Sequence, residues 1–221
     1  MAIHADTWPA GPGSSAPDTI TVCMDGRRFF LAPITGGAVC CVESVTMTRT
    51  GNVLLVDDFV RDDLVSRLGT AWRGVSDRVM GGISQETVAL TTIDGRRALR
   101  LSGEVRLENN GGFIQAGIDL APARQTLDAS GYRGVVLIAR GNGESYGVHL
   151  RTPLCIRPWQ SFRAGFVAGP EWREIRLSFG QFTPYRLTAL LDIRYLRRFS
   201  LVAIGRAFRA DLAVSEIGFF E

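Results

Sequence analysis

His149 and Cys155 are the nearest this sequence comes to a nucleophile and its base. His4 is the one other histidine, and no third polar group stands near the pair to orient an imidazole, so Cys155 reads more readily as a small buried hydrophobe. No G-x-S-x-G elbow occurs, and Gly141-Asn142-Gly143 is too short for a dinucleotide fingerprint and opens no helix. All 25 basic residues are arginine, which excludes Schiff-base lysines and lysine-dependent phosphate loops. Cys23, Cys40, Cys41 and Cys155 lack the C-x-x-C spacing of zinc or dithiol sites, and a reducing compartment is the simpler inference. Asp57, Asp58, Asp62 and Asp63 form an acidic patch that could hold calcium, but their spacing matches no EF-hand loop. Solvated carboxylates are the default there. The expectation is a chain without catalytic residues, metal or cofactor.

Binding chemistry is better represented. The net charge of +3 is modest and the arginines are interleaved with 22 acidic residues, a weak electrostatic footprint for nucleic acid. Along Ser145 to Arg151, strand alternation puts Tyr146, Val148 and Leu150 on one face and Gly147, His149 and Arg151 on the other. The same reading sends Phe162 and Phe166 inward with Arg163 outward, and Ile175, Leu177 and Phe179 inward with Glu174 and Arg176 outward. If these strands are neighbours, His149, Arg151, Arg163 and Arg176 share one outer surface beside Trp159 and Gln160. Guanidinium forks and an indole suit an acidic or polyhydroxyl partner; the alternative is a solvated face laced with ion pairs. In Trp72-Arg-Gly-Val-Ser-Asp-Arg-Val-Met-Gly-Gly-Ile-Ser84, Asp77 and Arg78 are either ligand contacts on a tight loop or, for Asp77, an acceptor of backbone N–H bonds. In the structural version Trp72 and Met80 are core plugs and Gly81-Gly82 is a turn with positive φ.

Short alternating runs must position these groups. Candidate strands cover Val53 to Val56, Thr87 to Ile93, Leu99 to Leu107, Phe113 to Leu120, Gly134 to Arg140, Ser145 to Arg151, Ser161 to Val167, Trp172 to Phe179, Phe199 to Gly205 and Leu212 to Phe220. In the clearest, Leu99, Leu101, Val105 and Leu107 point one way. Asn109-Asn110-Gly111-Gly112 reads as the turn before Phe113, Asn-Gly being a strong hairpin dipeptide. Such spacing with few helices predicts an all-β, antiparallel sandwich or jelly roll, with short helices over Asp57 to Leu68 and Leu187 to Leu196. Residues 1–18, rich in Pro, Gly, Ala and Ser, read as a flexible tail. Residues 19–50 form a β-rich extension, with a hairpin turning at Asp25-Gly26 and a further strand within Ala38 to Met47; a start codon placed too far upstream, with Met47 as the true start, is the other reading of this stretch. The main domain spans 51–221. No run has the length and apolarity of a membrane-spanning helix.

Trp72, Asp77, Val79-Met80-Gly81-Gly82-Ile83-Ser84 and the later Asn109-Asn110-Gly111-Gly112-Phe113 resemble the complex I intermediate-associated protein 30 family, whose hallmark is that order of residues. The resemblance runs from about Val53 to Phe220 and includes Arg140-Gly-Asn-Gly-Glu-Ser-Tyr146, similar to the family's Arg-Gly-Asp-Gly-x-x-Tyr, then Trp172 and Phe182-Thr-Pro184. It implies a galactose-binding-like jelly roll. It also implies a chaperone-like factor in the assembly of respiratory complex I (NADH:ubiquinone oxidoreductase), with no catalytic residues attributed to the mitochondrial members. The expected partner is therefore a protein, an unassembled subunit of a membrane-associated complex, contacted through Arg151, Arg163, Trp159 and Asn142 first; a glycan or small ligand on the same face is the alternative. Asn142 departs from the family's aspartate, and Leu187 stands where glycine often follows the arginine at Arg186. Residues 1–20 contain no arginine but do contain Asp6 and Asp18, unlike a mitochondrial presequence. A bacterial cytoplasmic protein is expected, mitochondrial if the source is eukaryotic.

Overall fold

The computed structural model describes residues 53–221 throughout and, before them, only the short strands Ile20–Thr21, Cys23–Asp25, Arg28–Phe30, Thr46–Met47 and Arg49–Thr50. Cys23–Asp25 pairs with Arg28–Phe30 in the register Asp25↔Arg28, the expected hairpin, and Thr46–Met47 pairs with Ile20–Thr21. The expected tail over 1–18 lies outside the described residues.

Alternation of apolar and polar residues yields two antiparallel sheets whose apolar faces meet. The strands are β1 (Val53–Asp57), β2 (Arg73–Ser76), β3 (Gln85–Ile93), β4 (Arg96–Val105), β5 (Phe113–Asp119), β6 (Gly134–Gly141), β7 (Glu144–Arg151), β8 (Ser161–Ala168), β9 (Arg173–Ser178), β10 (Thr183–Tyr185), β11 (Arg198–Ile204) and β12 (Phe208–Phe220). The front sheet is six-stranded, in the order β10-β8-β7-β11-β5-β2. In the seven-stranded back sheet, β12 is the spine. Its first half pairs with β4 and its second half with β1, β6 lies along its other side, β9 flanks β6, β3 flanks β4, and Arg49–Thr50 flanks β1 as the seventh strand. The jelly-roll class read from the sequence is the architecture found.

Inward positions follow the expected parity. Tyr146, Val148, Leu150, Phe162 and Phe166 are buried in the core with Leu99, Leu101, Leu137, Leu212 and Phe219. Leu107 does not join them, for β4 ends at Val105 and Leu107 is exposed. The Asn109–Gly112 corner is not a hairpin either. Asn109 and Asn110 do take positive φ, as a hairpin turn would ask, but β4 belongs to the back sheet and β5 to the front, so the corner carries the chain between layers.

The two expected helices are absent. Over Asp57 to Leu68, the Asp57 carboxylate accepts the Phe59 N–H (3.2 Å) and Phe59 has φ 55°, a left-handed residue that a right-handed helix cannot pass. Asp57 also accepts the Trp72 indole N–H at 2.7 Å. Burial raises the Asp57 pKa, against the Trp72 and Phe59 hydrogen bonds, and Trp72 stands edge-on to Phe199 in the core. Between 187 and 196 only the 3₁₀ turn Ile193–Tyr195 forms, capped by the Asp192 side chain on the Arg194 N–H.

Replacing Asp57 with Ala leaves the indole N–H of a 2% exposed tryptophan without its acceptor. The expected loss is about 2 kcal/mol, read by urea unfolding followed through tryptophan emission.

Candidate functional site

One buried carboxylate organises the most distinctive loops. β2 ends at Ser76, and Asp77 opens a 3₁₀ turn to Met80 with its side chain fully buried. Asp77 Oδ1 accepts the Ser84 N–H at 2.9 Å; Oδ2 accepts the Ser84 hydroxyl at 2.5 Å and the N–H groups of Gly112 and Phe113 at 2.6 and 3.3 Å. The Ser84 hydroxyl oxygen in turn accepts the Arg106 N–H. Burial pushes the Asp77 pKa up, but the Ser84 hydroxyl and the Gly112, Ser84 and Phe113 amides outweigh it and hold the carboxyl below its usual 3.8. Two glycines are required by crowding, since a Cβ at Gly82 or Gly111 would fall on this carboxylate. Gly81 is required by its φ of +90°. Asp77 is thus a clasp between two loops, with its oxygens facing inward, and of the expected pair only Arg78 faces solvent.

With the polar groups turned in, the apolar side chains of the corner are turned out. Val79 is 72% exposed, Met80 55%, and Ile83 and Leu107 are also exposed. Met80 is therefore not the core plug the sequence suggested: the 3₁₀ turn that buries Asp77 places Met80 on the outside. Beside this tip a groove of about 570 Å³ runs between Gly74–Ser76 of β2 and Gln85–Thr87 of β3, with Arg78 and Val79 at its end.

The second candidate surface is the outer face of the front sheet. β7 pairs β8 with His149 opposite Arg163, and β11 brings Ser200 to the other side of His149. Arg176 does not share this face; β9 belongs to the back sheet, so its guanidinium lies on the other side of the molecule, over Phe220. Arg151 is committed to its own loop, donating to the carbonyls of Cys155 (2.9 Å), Arg157 (2.8 Å) and Pro158 (3.3 Å), which pins the segment after β7. Gln160 braces that loop, accepting the Arg157 N–H and donating to the Arg186 carbonyl, each at 2.9 Å. Asn142 locks a hairpin, donating to the Arg209 carbonyl and accepting the Tyr146 hydroxyl, each at 2.7 Å. Arg163 donates to the Ser161 hydroxyl at 3.0 Å and the Trp159 carbonyl at 3.4 Å. Trp159 is half exposed, and Arg163 lies 3.4 Å above the Tyr185 ring centre. Tyr185 was missed because its short strand, Thr183–Tyr185, contains Pro184 and carries no alternation.

His149 faces outward yet is only 9% exposed. Its ring lies over Gly147, where a Cβ would come within 3.3 Å of Nε2. Burial, then the Arg163 charge, pushes its pKa down to about 3, so the imidazole is neutral at physiological pH. Cys155 is buried in the core, and no hydrogen bond joins it to His149 among the described residues. Of the acidic patch, Asp62 and Asp63 stay in solvent as expected, paired with Arg97 and Arg61, while Asp58 pairs with Arg67 and Asp57 is buried against the Trp72 indole.

Asp77→Ala strands several buried N–H groups and should cost about 3 kcal/mol in urea unfolding, with Gly82→Ala comparably damaging. For His149, the unfolded chain binds a proton near pH 6.5 that the folded chain refuses until about pH 3. Folded stability should therefore fall as pH drops through that window. His149→Gln should show a flatter pH dependence there in the same measurement.

The family model for Complex I intermediate-associated protein 30 matches residues 59–209. No curated protein sequence matches the chain. Among solved structures, the family 11 carbohydrate-binding module of cellulosomal cellulase Lic26A-Cel5E of Clostridium thermocellum is similar with TM-score 0.60 at 10% identity, covering 78% of this chain and 96% of that one. A family 30 carbohydrate-binding module follows at TM-score 0.51 and 14% identity, covering 66% and 80%. The agarase AgWH50C, at TM-score 0.51 and 11% identity, covers 77% of this chain with 25% of its own length. At such identities the structural likeness speaks for the shared β-sandwich alone. The family match spans most of the chain, both glycine-rich loops and the Asp77 clasp between them, and by it this chain belongs to the Complex I intermediate-associated protein 30 family.

Proposed function

We propose that this protein is a non-catalytic binding factor that shelters an unassembled subunit of a membrane-associated complex, respiratory complex I by the family's description. The observation that carries the reading is the Asp77 corner. A fully buried carboxylate spends its hydrogen bonds on fixing two loops, and the result is a stiff tip showing Val79, Met80 and Ile83 to solvent beside a groove. Exposed apolar side chains on a rigid support are the anatomy of a protein-binding surface. Arg78 adds a charged contact beside it, whereas Arg163 and Trp159 lie away from it, with β7, β11 and β5 between β8 and β2.

A second reading, a module for a polyhydroxyl ligand, is favoured by the other face. There Trp159 offers an indole, Arg163 is stacked on Tyr185, and neutral His149 has both a donor and an acceptor nitrogen. A similar carbohydrate-binding module from Clostridium thermocellum was solved with a mixed-linked tetrasaccharide.

Affinity isolation of the tagged protein from detergent-solubilised native membranes, with quantitative mass spectrometry, separates the two. Enrichment of complex I subunits in partly assembled form, and loss of the assembled complex on native gels when the gene is deleted, is the expected result. No subunit enrichment, together with calorimetric binding of β-glucan oligosaccharides that Trp159→Ala abolishes, would replace the first reading with the second.

A further inference from the structure

Two strand edges lie open at the groove. Among the described residues, β2 ends the front sheet and pairs only with β5, and β3 ends its side of the back sheet and pairs only with β4. In an antiparallel pair, alternate N–H and C=O groups of each strand face its neighbour, so a strand at the end of a sheet turns the rest outward. Proteins usually guard such an edge with proline, basic residues, bulges or brevity. β3 is nine residues long and carries no proline, no arginine and, past Glu86, no charge. Glu86 and Val88 pack beneath Gly74, where a Cβ would meet their side chains at 3.3 and 3.1 Å, so β2 roofs the start of β3 and leaves the groove alongside. Arg78, at the groove's end, makes no ion pair among the described residues, and Val79 and Met80 stand exposed next to it.

Resting on the protein-partner reading above, we infer that the groove takes an extended segment of the client polypeptide, which pairs its backbone with the open edge of β3, lays an apolar side chain on Val79 and Met80, and presents a carboxylate to Arg78. Main-chain pairing gives such a site its affinity, and the alternating side chains give it selectivity. The volume falls in the range of pockets that enclose small ligands, enough for a few side chains of a strand but not for a folded domain. An unassembled subunit is the state in which a client has such segments to offer. A sugar would leave the open edge and the apolar tip unused. A cationic segment would meet Arg78 with like charge.

The test begins with phage-displayed random peptides long enough to span β3, selected on the full-length protein. Enriched peptides should alternate apolar residues and carry Asp or Glu. A synthetic copy should slow amide exchange in Gln85–Ile93, and Arg78→Glu should weaken it by about tenfold or more, with Val79→Ser and Met80→Ser also weakening it. These side chains are exposed, so an unchanged urea midpoint certifies that each variant is folded. Failure to enrich such peptides overturns the inference. So does protection confined to the Trp159–Arg163 face, or sedimentation showing that β3 pairs with β3 of a second copy. The two readings fail separately: if native membranes yield no client with the unmodified protein, the proposed function falls, whereas equal recovery of client by the unmodified protein and the Arg78→Glu and Met80→Ser variants sinks the groove alone.

Discussion

The Asp77 carboxylate is the constraint from which the binding end of this sandwich follows. A buried carboxylate is costly unless it is surrounded by donors, and the donors here come from the far end of its own loop, at Ser84, and from a second loop, at Gly112 and Phe113. Meeting that demand fixes how closely the two loops approach. The approach dictates glycine at 82 and 111, and the turn that brings Asp77 inward forces Val79 and Met80 outward. The corner joins the back sheet's β4 to the front sheet's β5, so the clasp also ties the two layers together on the side where β2 and β3 leave the sandwich open.

Much of the arginine complement is structural. Arg151 gathers three loop carbonyls, Arg198 pairs with Asp119 across β11 and β5 at 2.8 Å, Arg100 holds Asp211 with both arms at 2.8 Å, and Arg140 joins Asp94. A guanidinium presents five donors in a fixed plane, which suits it to bridging carbonyls and carboxylates that lysine would reach with a single point. An arginine-rich face therefore need not be an arginine-lined binding surface. Several of these guanidinium groups are already occupied, whereas Arg78, beside the groove, makes no ion pair among the described residues.

Alternation made the layers legible from the sequence, because a strand with one wet face writes its burial into every second residue. Tyr146, Val148, Leu150 and Phe162 fall where parity puts them. What alternation does not encode is which strands are neighbours. Arg176 has the right parity but sits on the other sheet, and β4 leads away from β5 although the Asn-Gly corner has hairpin chemistry. The short helix expected over Asp57 to Leu68 is likewise absent, excluded by the left-handed φ of Phe59. The loop motif was legible as architecture for Asp77, Gly81 and Gly82, whereas Met80, a large apolar residue that ought to be buried, is held out by a bond made elsewhere.

The departure at Asn142 shows the same economy of polar groups. Its amide nitrogen donates to the Arg209 carbonyl while its oxygen accepts the Tyr146 hydroxyl, and that hydroxyl oxygen accepts the Asp211 N–H at 2.8 Å. An aspartate here, as the family has, offers acceptors only. It could still receive the Tyr146 hydroxyl but would turn an oxygen toward the Arg209 carbonyl, and the hairpin would have to open by that much or seat the carboxylate elsewhere. Asparagine closes the β6–β7 turn onto β12 without a charge. The substitution accordingly changes how this hairpin is locked, and the faces that carry Arg163 and Met80 are built without it.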